Sequence, residues 1–242
     1  MTYNDFTFES LGEGIEICIS DEHRFGTDAF LLADFSAGRH KDICADLCTG
    51  SGIIALLLHK FYKPQKIYAV EIQEKAHEQL KVSLERSKID TIQPVLGDLN
   101  DWRSEKELDL ITCNPPYKIN NTGAKNDSEA VSIAQIGRAR HEMLCTIDDV
   151  CRCAKKNLKF GGRLCICNRP ERLCDIMTAM RASGIEPKRL RTVHKNPECP
   201  PWLILVEGKK GGKPFVQIEK PLYVRSADGG NSAEMKRIYG LP

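Results

Sequence analysis

The stretch Thr112-Cys113-Asn114-Pro115-Pro116-Tyr117 closes the apolar run Leu108-Asp109-Leu110-Ile111. Proline cannot donate to a sheet ladder and holds the residue before it in extended geometry, so Pro115 and Pro116 end a strand and fix what precedes them. The side-chain oxygen of Asn114 and the carbonyl of Pro115 can then face the same way. Two convergent acceptors suit a planar NH2 group. Such an amine is a weak nucleophile, because its lone pair is delocalised. Acceptors on its hydrogens favour an attacking geometry, and holding the nitrogen in line with an electrophilic methyl is a proximity and orientation effect. Tyr117 offers a ring for stacking on a planar substrate, worth roughly 1–3 kcal/mol per base.

Three further polar turns follow strand-like runs. Asp46-Leu47-Cys48-Thr49-Gly50-Ser51-Gly52 joins a strand to a helix, and Gly50 and Gly52 allow a tight turn and close approach of a ligand to backbone. No Gly-Lys-Ser/Thr follows, so this is not a phosphate-cradling Walker loop, and Cys48 occupies the first glycine position of a dinucleotide fingerprint. The backbone at Cys48 is therefore expected to do without a positive φ. Val70-Glu71-Ile72 places a carboxylate about 20 residues beyond the turn, where an acid accepts from a ribose diol. Gly97-Asp98 ends the next strand, and Asp98 can accept from an exocyclic adenine amine. Glycine turn and acids at successive strand ends describe a nucleoside site. NAD and S-adenosylmethionine both fit so far. Asp46 would repel a pyrophosphate and suits a cationic amino group or water, which favours S-adenosylmethionine.

The elements that must position these residues alternate regularly. The strand DICADLC precedes the helix GIIALLLHKFY; the strand KIYAVEI precedes the amphipathic helix QEKAHEQLKVSLERSK. IQPVLGD and LDLITCN are strands, IDDVCRCAKKNL a helix, GRLCICN a strand and ERLCDIMTAMRASG a helix. This pattern predicts an α/β fold with a mostly parallel sheet and helices on both faces. KRLRTVH and PWLILVEGKK, separated only by a proline-rich loop, predict an antiparallel hairpin at one edge. Ahead of the core stand a hairpin strand at Gly14–Ile19 and a helix over Ala29–Phe35. The expected division is an extension at 1–40, a core at 41–208 and a basic tail at 209–242 with one strand-like piece, FVQIEKPLYV.

A chain of 242 residues suffices for one sizeable domain. Its net charge of +2 leaves any polyanion surface to local distribution. Eleven cysteines contain no C-x-x-C pair, so no metal site is expected. Cys44, Cys165 and Cys167 read as small buried hydrophobes, the last two on one strand face. No run approaches the roughly 18 apolar residues of a membrane span, and the N-terminus lacks signal-peptide features. A cytoplasmic protein without a membrane partner is expected, with a monomer favoured.

DLCTGSG, VEI, LGD and NPPY, in that order, resemble the class I S-adenosylmethionine-dependent methyltransferases, in the branch that methylates planar amines such as adenine N6, cytosine N4 or glutamine N5. The resemblance covers roughly residues 24 to 207. It implies a Rossmann-like, doubly wound sheet of seven strands. It also implies catalysis by Asn114, Pro115, Pro116 and Tyr117, and cofactor contacts from Asp46, Cys48, Thr49, Gly50, Gly52, Glu71, Ile72, Asp98, Leu99 and Asn114.

Arg24-Phe25-Gly26-Thr27-Asp28-Ala29 and Ala139-Arg140-His141-Glu142 resemble the bacterial enzymes that methylate N6 of adenine 37 in a valine tRNA. That resemblance implies that Thr27 and Asp28 lie over the methionine portion of the cofactor; both are also good helix caps. His141 is either an RNA contact or structural. The loop Lys118 to Arg140 reads as a lid, and the basic tail as a phosphate clamp or a solvated face. The target adenine would leave its stack to enter the pocket. Rival readings are glutamine-N5 methylation of a release factor, guanine-N2 methylation of ribosomal RNA, and a non-catalytic RNA-binding module.

Overall fold

A computed structural model describes residues 6–20, 23, 25–115 and 145–241. Pro116, Tyr117, the loop Lys118 to Arg140, His141 and Arg24 lie outside the described residues.

Strands β1 (Thr7–Gly12) and β2 (Ile15–Ile19) form a separate antiparallel hairpin. The first of these was not anticipated. The hairpin is pinned to the core from β2, where Glu16 N donates to Ser87 Oγ at 2.9 Å and Cys18 N to Ser83 Oγ at 2.8 Å. Helix α1 (Thr27–Ser36) leads into the alternating core: β3 (Ile43–Leu47), α2 (Ile53–Tyr62), β4 (Lys66–Glu71), α3 (Glu74–Ser87), β5 (Ile92–Leu96) and β6 (Leu108–Cys113). Then come α4 (Ile147–Asn157), β7 (Leu158–Asn168), α5 (Leu173–Ala182), β8 (Ile185–His194) and β9 (Pro201–Lys210). The tail adds β10 (Gln217–Ile218), β11 (Leu222–Tyr223) and α6 (Ala233–Tyr239).

The sheet order is β10-β8-β9-β7-β6-β3-β4-β5, with β11 also pairing β8. β9 runs antiparallel between β7 and β8, and the other pairs are parallel. The expected mostly parallel sheet with an antiparallel hairpin is present, but the strand count is nine among the described residues, not seven. The seven long strands β3 to β9 are those read from the sequence. The other two are two-residue pieces of FVQIEKPLYV, too short to show a period of their own. β9 continues to Lys210, past the expected boundary at 208.

Alternation places the core on two faces. Along β4, Ile67 and Ala69 pack with α1, α2 and α3, while Tyr68 and Val70 pack with α4 and α5. Cys44, Cys165 and Cys167 are buried on the first face, as their strand positions predict. Each large aliphatic side chain fully buried there contributes about 1.5–3 kcal/mol. Pro94 sits inside β5 without cost to an outer ladder, because β5 is an edge strand. The chain winds from β3 through β4 to β5 in one direction, and β6 returns on the other side of β3. A crevice therefore opens outside the carboxyl ends of β3 and β6, where ligands of open parallel sheets bind. Among the described residues no helix is long and apolar enough to cross a membrane.

Candidate active site

Asn114 directly follows β6, beside Cys167 of β7 and opposite the first turn of α1. Its Nδ2 donates to Asp28 Oδ2 at 3.0 Å, and its Oδ1 accepts from the Cys167 thiol at 3.1 Å. The two contacts fix which end of the amide is which. Nδ2 faces a carboxylate, so Oδ1 is the acceptor end of the amide and faces the thiol. Pro115 is buried next to it. Cys167 was not singled out as functional, although pairing of Cys113 with Ile166 puts Cys167 beside Asn114. Only strand register, which the sequence does not print, carries that signal.

Thr27 and Asp28 do not cap α1 in the expected way. Gly26 is the N-cap residue, without a side-chain cap. Asp28 Oδ1 accepts from Ala29 N at 3.1 Å within the first turn, and the Thr27 hydroxyl meets the Tyr239 hydroxyl at 2.8 Å. The capping reading is thus replaced by two tertiary contacts, one of them to Asn114.

The turn after β3 is built around Asp46, which is 0 % exposed. Its Oδ2 accepts from Thr49 Oγ1 at 2.5 Å and its Oδ1 from Thr112 Oγ1 at 2.7 Å. Burial raises its pKa to about 7, against the lowering effect of both hydroxyls. Asp46 therefore braces the turn from behind. The repulsion of a pyrophosphate argued from its charge is correspondingly weaker than the sequence suggests. Thr112 is a second residue that the sequence reading passed over; it lies two positions before Asn114, on the same face of β6.

Cys48 has φ 55°, which corrects the expectation of a non-positive φ there. The tight turn needs the left-handed region, and a non-glycine residue supplies it at a cost of about 1–2 kcal/mol. The Cys48 thiol lies 3.6 Å from Cys145 Sγ, at the end of the segment that leads into α4. A hydrogen bond with Cys113 and then burial push the Cys48 pKa up, so this thiol stays protonated. Gly50 follows with φ 57° and open space beside it. At Gly52, φ is 89° and an added Cβ would stand 2.3 Å from Leu80 Cδ1. Glycine is needed there both for conformation and for the packing of α2 against α3.

Glu71 is buried at the end of β4. Its Oε2 accepts from Gly50 N at 2.8 Å, and its Oε1 from Ile72 N at 3.0 Å and Gln73 N at 2.9 Å. Three of about four acceptor positions are used, leaving one for a hydroxyl. Asp98 Oδ1 accepts from both nitrogens of Asn100, at 2.8 and 3.1 Å. Its Oδ2 has no partner among the described residues. Leu99 beside it is buried, whereas Ile72 and Leu96 expose apolar surface at neighbouring strand ends. A free carboxylate oxygen, an acceptor position on Glu71, apolar surface and open backbone at Gly50 fit an adenosine moiety.

Comparison with known proteins agrees with this geometry. The family profile described as methyltransferase small domain matches residues 21–181. The tRNA1(Val) (adenine(37)-N6)-methyltransferase of Porphyromonas gingivalis is 28% identical over 89% of this chain and 86% of its own. A protein of the same name from Glaesserella parasuis is 36% identical, over 43% of this chain and 44% of its own length. Among solved structures, a predicted O-methyltransferase from Agrobacterium tumefaciens superposes with TM-score 0.68 at 19% identity, covering 88% of this chain and 95% of that one. Trm5 of Methanocaldococcus jannaschii, solved with adenosine, gives TM-score 0.61 at 14% identity over 86% of this chain and 56% of its own, a likeness of fold. With the profile spanning well over half of the residues and the amide of Asn114 set at the sheet's switch point, the chain belongs to the methyltransferase small domain family.

Proposed function

We propose that this protein methylates N6 of an adenine in tRNA with S-adenosylmethionine, the target being adenine 37 beside the anticodon of a valine tRNA. The observation that carries the reading is the amide of Asn114 at the carboxyl end of β6, oriented by Asp28. The names of relatives aligned along most of the chain favour adenine N6 over other planar amines.

Bound S-adenosylmethionine supplies an electrophilic methyl group on a positively charged sulfur. Glu71 takes one ribose hydroxyl, Asp98 Oδ2 the adenine amine, and Ile72 and Leu99 bound the adenine ring. Gly50, Gly52, Thr49 and Cys48 shape the turn beside it, Asp46 braces that turn, and Thr27 lies in the first turn of α1 over the methionine end. Asn114 Oδ1 and the Pro115 carbonyl accept the two N–H groups of the target amine. That contact favours a pyramidal nitrogen and aims its lone pair along the attack line. Asp28, accepting from the amide nitrogen, increases the negative charge on Oδ1 and prevents the amide from turning over. The target adenine reaches the pocket flipped out of its stack. Transfer would put the methyl carbon on the nitrogen held by Asn114, with the carbon–sulfur bonding pair left on the cofactor, and the extra proton would leave to water. No general base is required.

The test is incubation with labelled S-adenosylmethionine and unmodified total tRNA, followed by digestion and mass spectrometry of nucleosides. N6-methyladenosine in one tRNA is the expected product. Transfer to a release factor and not to tRNA would replace this reading with glutamine-N5 methylation.

A further inference from the structure

Along the rim formed by the β10–β8 edge of the sheet and the start of β7, several strands away from the crevice, large apolar side chains stand uncovered: Phe160 is 80 % exposed, Phe215 87 % and Ile218 69 %. Phe160, near the start of β7, lies against the turn at Gly211, where an added Cβ would come within 2.2 Å of its ring. Phe215, four residues further on, has φ 86°. Bulky side chains avoid that region, and burial of the ring is not what compensates the strain. The holding group is Lys188 of β8. Its Nζ donates to the carbonyls of Lys213, Pro214 and Phe215 at 3.0, 3.1 and 2.7 Å. One ammonium thus fixes a strained segment with its aromatic ring in solvent. Strain of this kind persists where neighbours over-determine it and gathers at ligand contacts.

The same rim is electropositive. Arg39, Lys159, Lys188, Lys209 and Gln217 border one open depression of about 350 Å³. Its acids are taken up internally: Asp109 by Lys159, and Asp42 and Glu207 by Arg163. Arg39 and Lys209 are left without an ion pair among the described residues, as is exposed Lys213 close by. Protein interfaces deplete lysine at their centres. Cations for phosphates together with uncovered rings for base faces are instead the features of a single-stranded nucleic-acid surface.

We propose that the rim around Phe215 is a second RNA contact, engaging a part of the tRNA remote from the target base. This rests on the tRNA reading above. Ile218 stands in the same row as Cys113 through Leu190, Val206 and Ile166, four strand spacings away, about 19 Å at ~4.8 Å per spacing, and Cys113 precedes Asn114. A hairpin closed by about three base pairs offers roughly 10 Å of stem and does not span that distance, whereas the whole tRNA does.

Steady-state methylation of full-length tRNA and of that hairpin separates the possibilities. For Phe215→Ala, KM for full-length tRNA is expected to rise roughly tenfold, the loss of one stacked base, with kcat and both hairpin constants unchanged. Lys209→Gln combined with Lys213→Gln should lower the slope of log affinity against log salt by about 1.5 to 2. Phe215→Gly should lose the same affinity yet melt higher than the parent chain, because glycine accepts the positive φ. Unchanged KM for full-length tRNA in Phe215→Ala would overturn the proposal while leaving the methyltransferase reading intact. A parent dimer that Phe215→Ala splits, without change in KM, would assign the rim to a second copy of the chain and overturn RNA docking. If the parent protein methylates neither RNA, the tRNA reading fails and the docking with it.

Discussion

At the scale of single residues, Asp28, Asn114 and Cys167 form one unit, and their effects should not add. On the proposed mechanism Asn114→Ala removes an acceptor from the reacting amine, so kcat should fall on the order of a hundredfold while cofactor affinity holds. Asp28→Ala removes one of the contacts that orient the amide and should lower kcat less. The double variant should match Asn114→Ala alone, since Asp28 acts through Asn114. Additive losses, read as kcat from single-turnover assays, would show that Asp28 serves the cofactor independently. Asp46 makes a different prediction. Burial sets its pKa at about 7, against 3.8 for the free group, so the folded chain binds this proton more tightly than the unfolded one. Its stabilising contribution is complete below about pH 4 and is lost as pH rises to 7 and beyond. Between about pH 5 and about pH 8, urea unfolding should show a smaller loss of stability in Asp46→Asn than in the parent chain. Parallel losses would place the titrating group elsewhere. The sequence made Asn114, Glu71 and Asp98 legible, because strand ends next to proline and glycine are printed in residue types. Thr112 and Cys167 were not, because their roles come from the face of a strand and from register.

At the scale of elements, the turn between β3 and α2 shows how much a residue type can conceal. Cys48 occupies a left-handed position that its residue type argues against, and Gly52 is held by packing as well as by φ. Comparing Cys48→Gly with Cys48→Ala cancels the lost thiol and isolates the backbone. Glycine should be the more stable by about 1 kcal/mol, measured by chemical denaturation; the opposite order would mean that the turn relaxes when the thiol is removed. Gly52→Ala meets both the positive φ and Leu80, and should cost more than either Cys48 variant. The long strands and helices were readable because each carries several turns of its own periodicity and a marked end. α4, for instance, begins with a capping box in which Thr146 and Asp149 bond each other's backbone N–H. β1 was missed because its side chains are largely exposed and show no buried stripe. FVQIEKPLYV, read as one strand-like piece, is split into β10 and β11, each ordered by pairing with β8, and α6 was missed because it is short and gains its order from α1 rather than from local pattern.

At the scale of the whole molecule, the tail turns inward at its end. α6 lies against α1, which carries Asp28: Arg237 donates to both oxygens of Asp34 at 2.7 and 2.9 Å, and the Tyr239 ring stands 5.0 Å from that of Phe30. Thr27 and Tyr239 share a hydrogen bond one residue from Asp28. Two interactions compete as the main fastening. The Arg237–Asp34 pair is bidentate, yet Arg237 is 61% exposed, so screening limits it to well under about 1 kcal/mol. Met235 is fully buried beside Ile238 in the core that also holds Leu222 of β11. Removing its side chain leaves a cavity and should cost about 2–5 kcal/mol. Met235→Ala should therefore lower the melting temperature clearly, and at temperatures where the sheet remains folded it should lower kcat as well, because α1 loses its support near Asn114. Arg237→Ala should leave both nearly unchanged. If Arg237→Ala were the more damaging of the two, the ion pair and not apolar burial would be what ties α6 to the helix that holds the Asn114 amide.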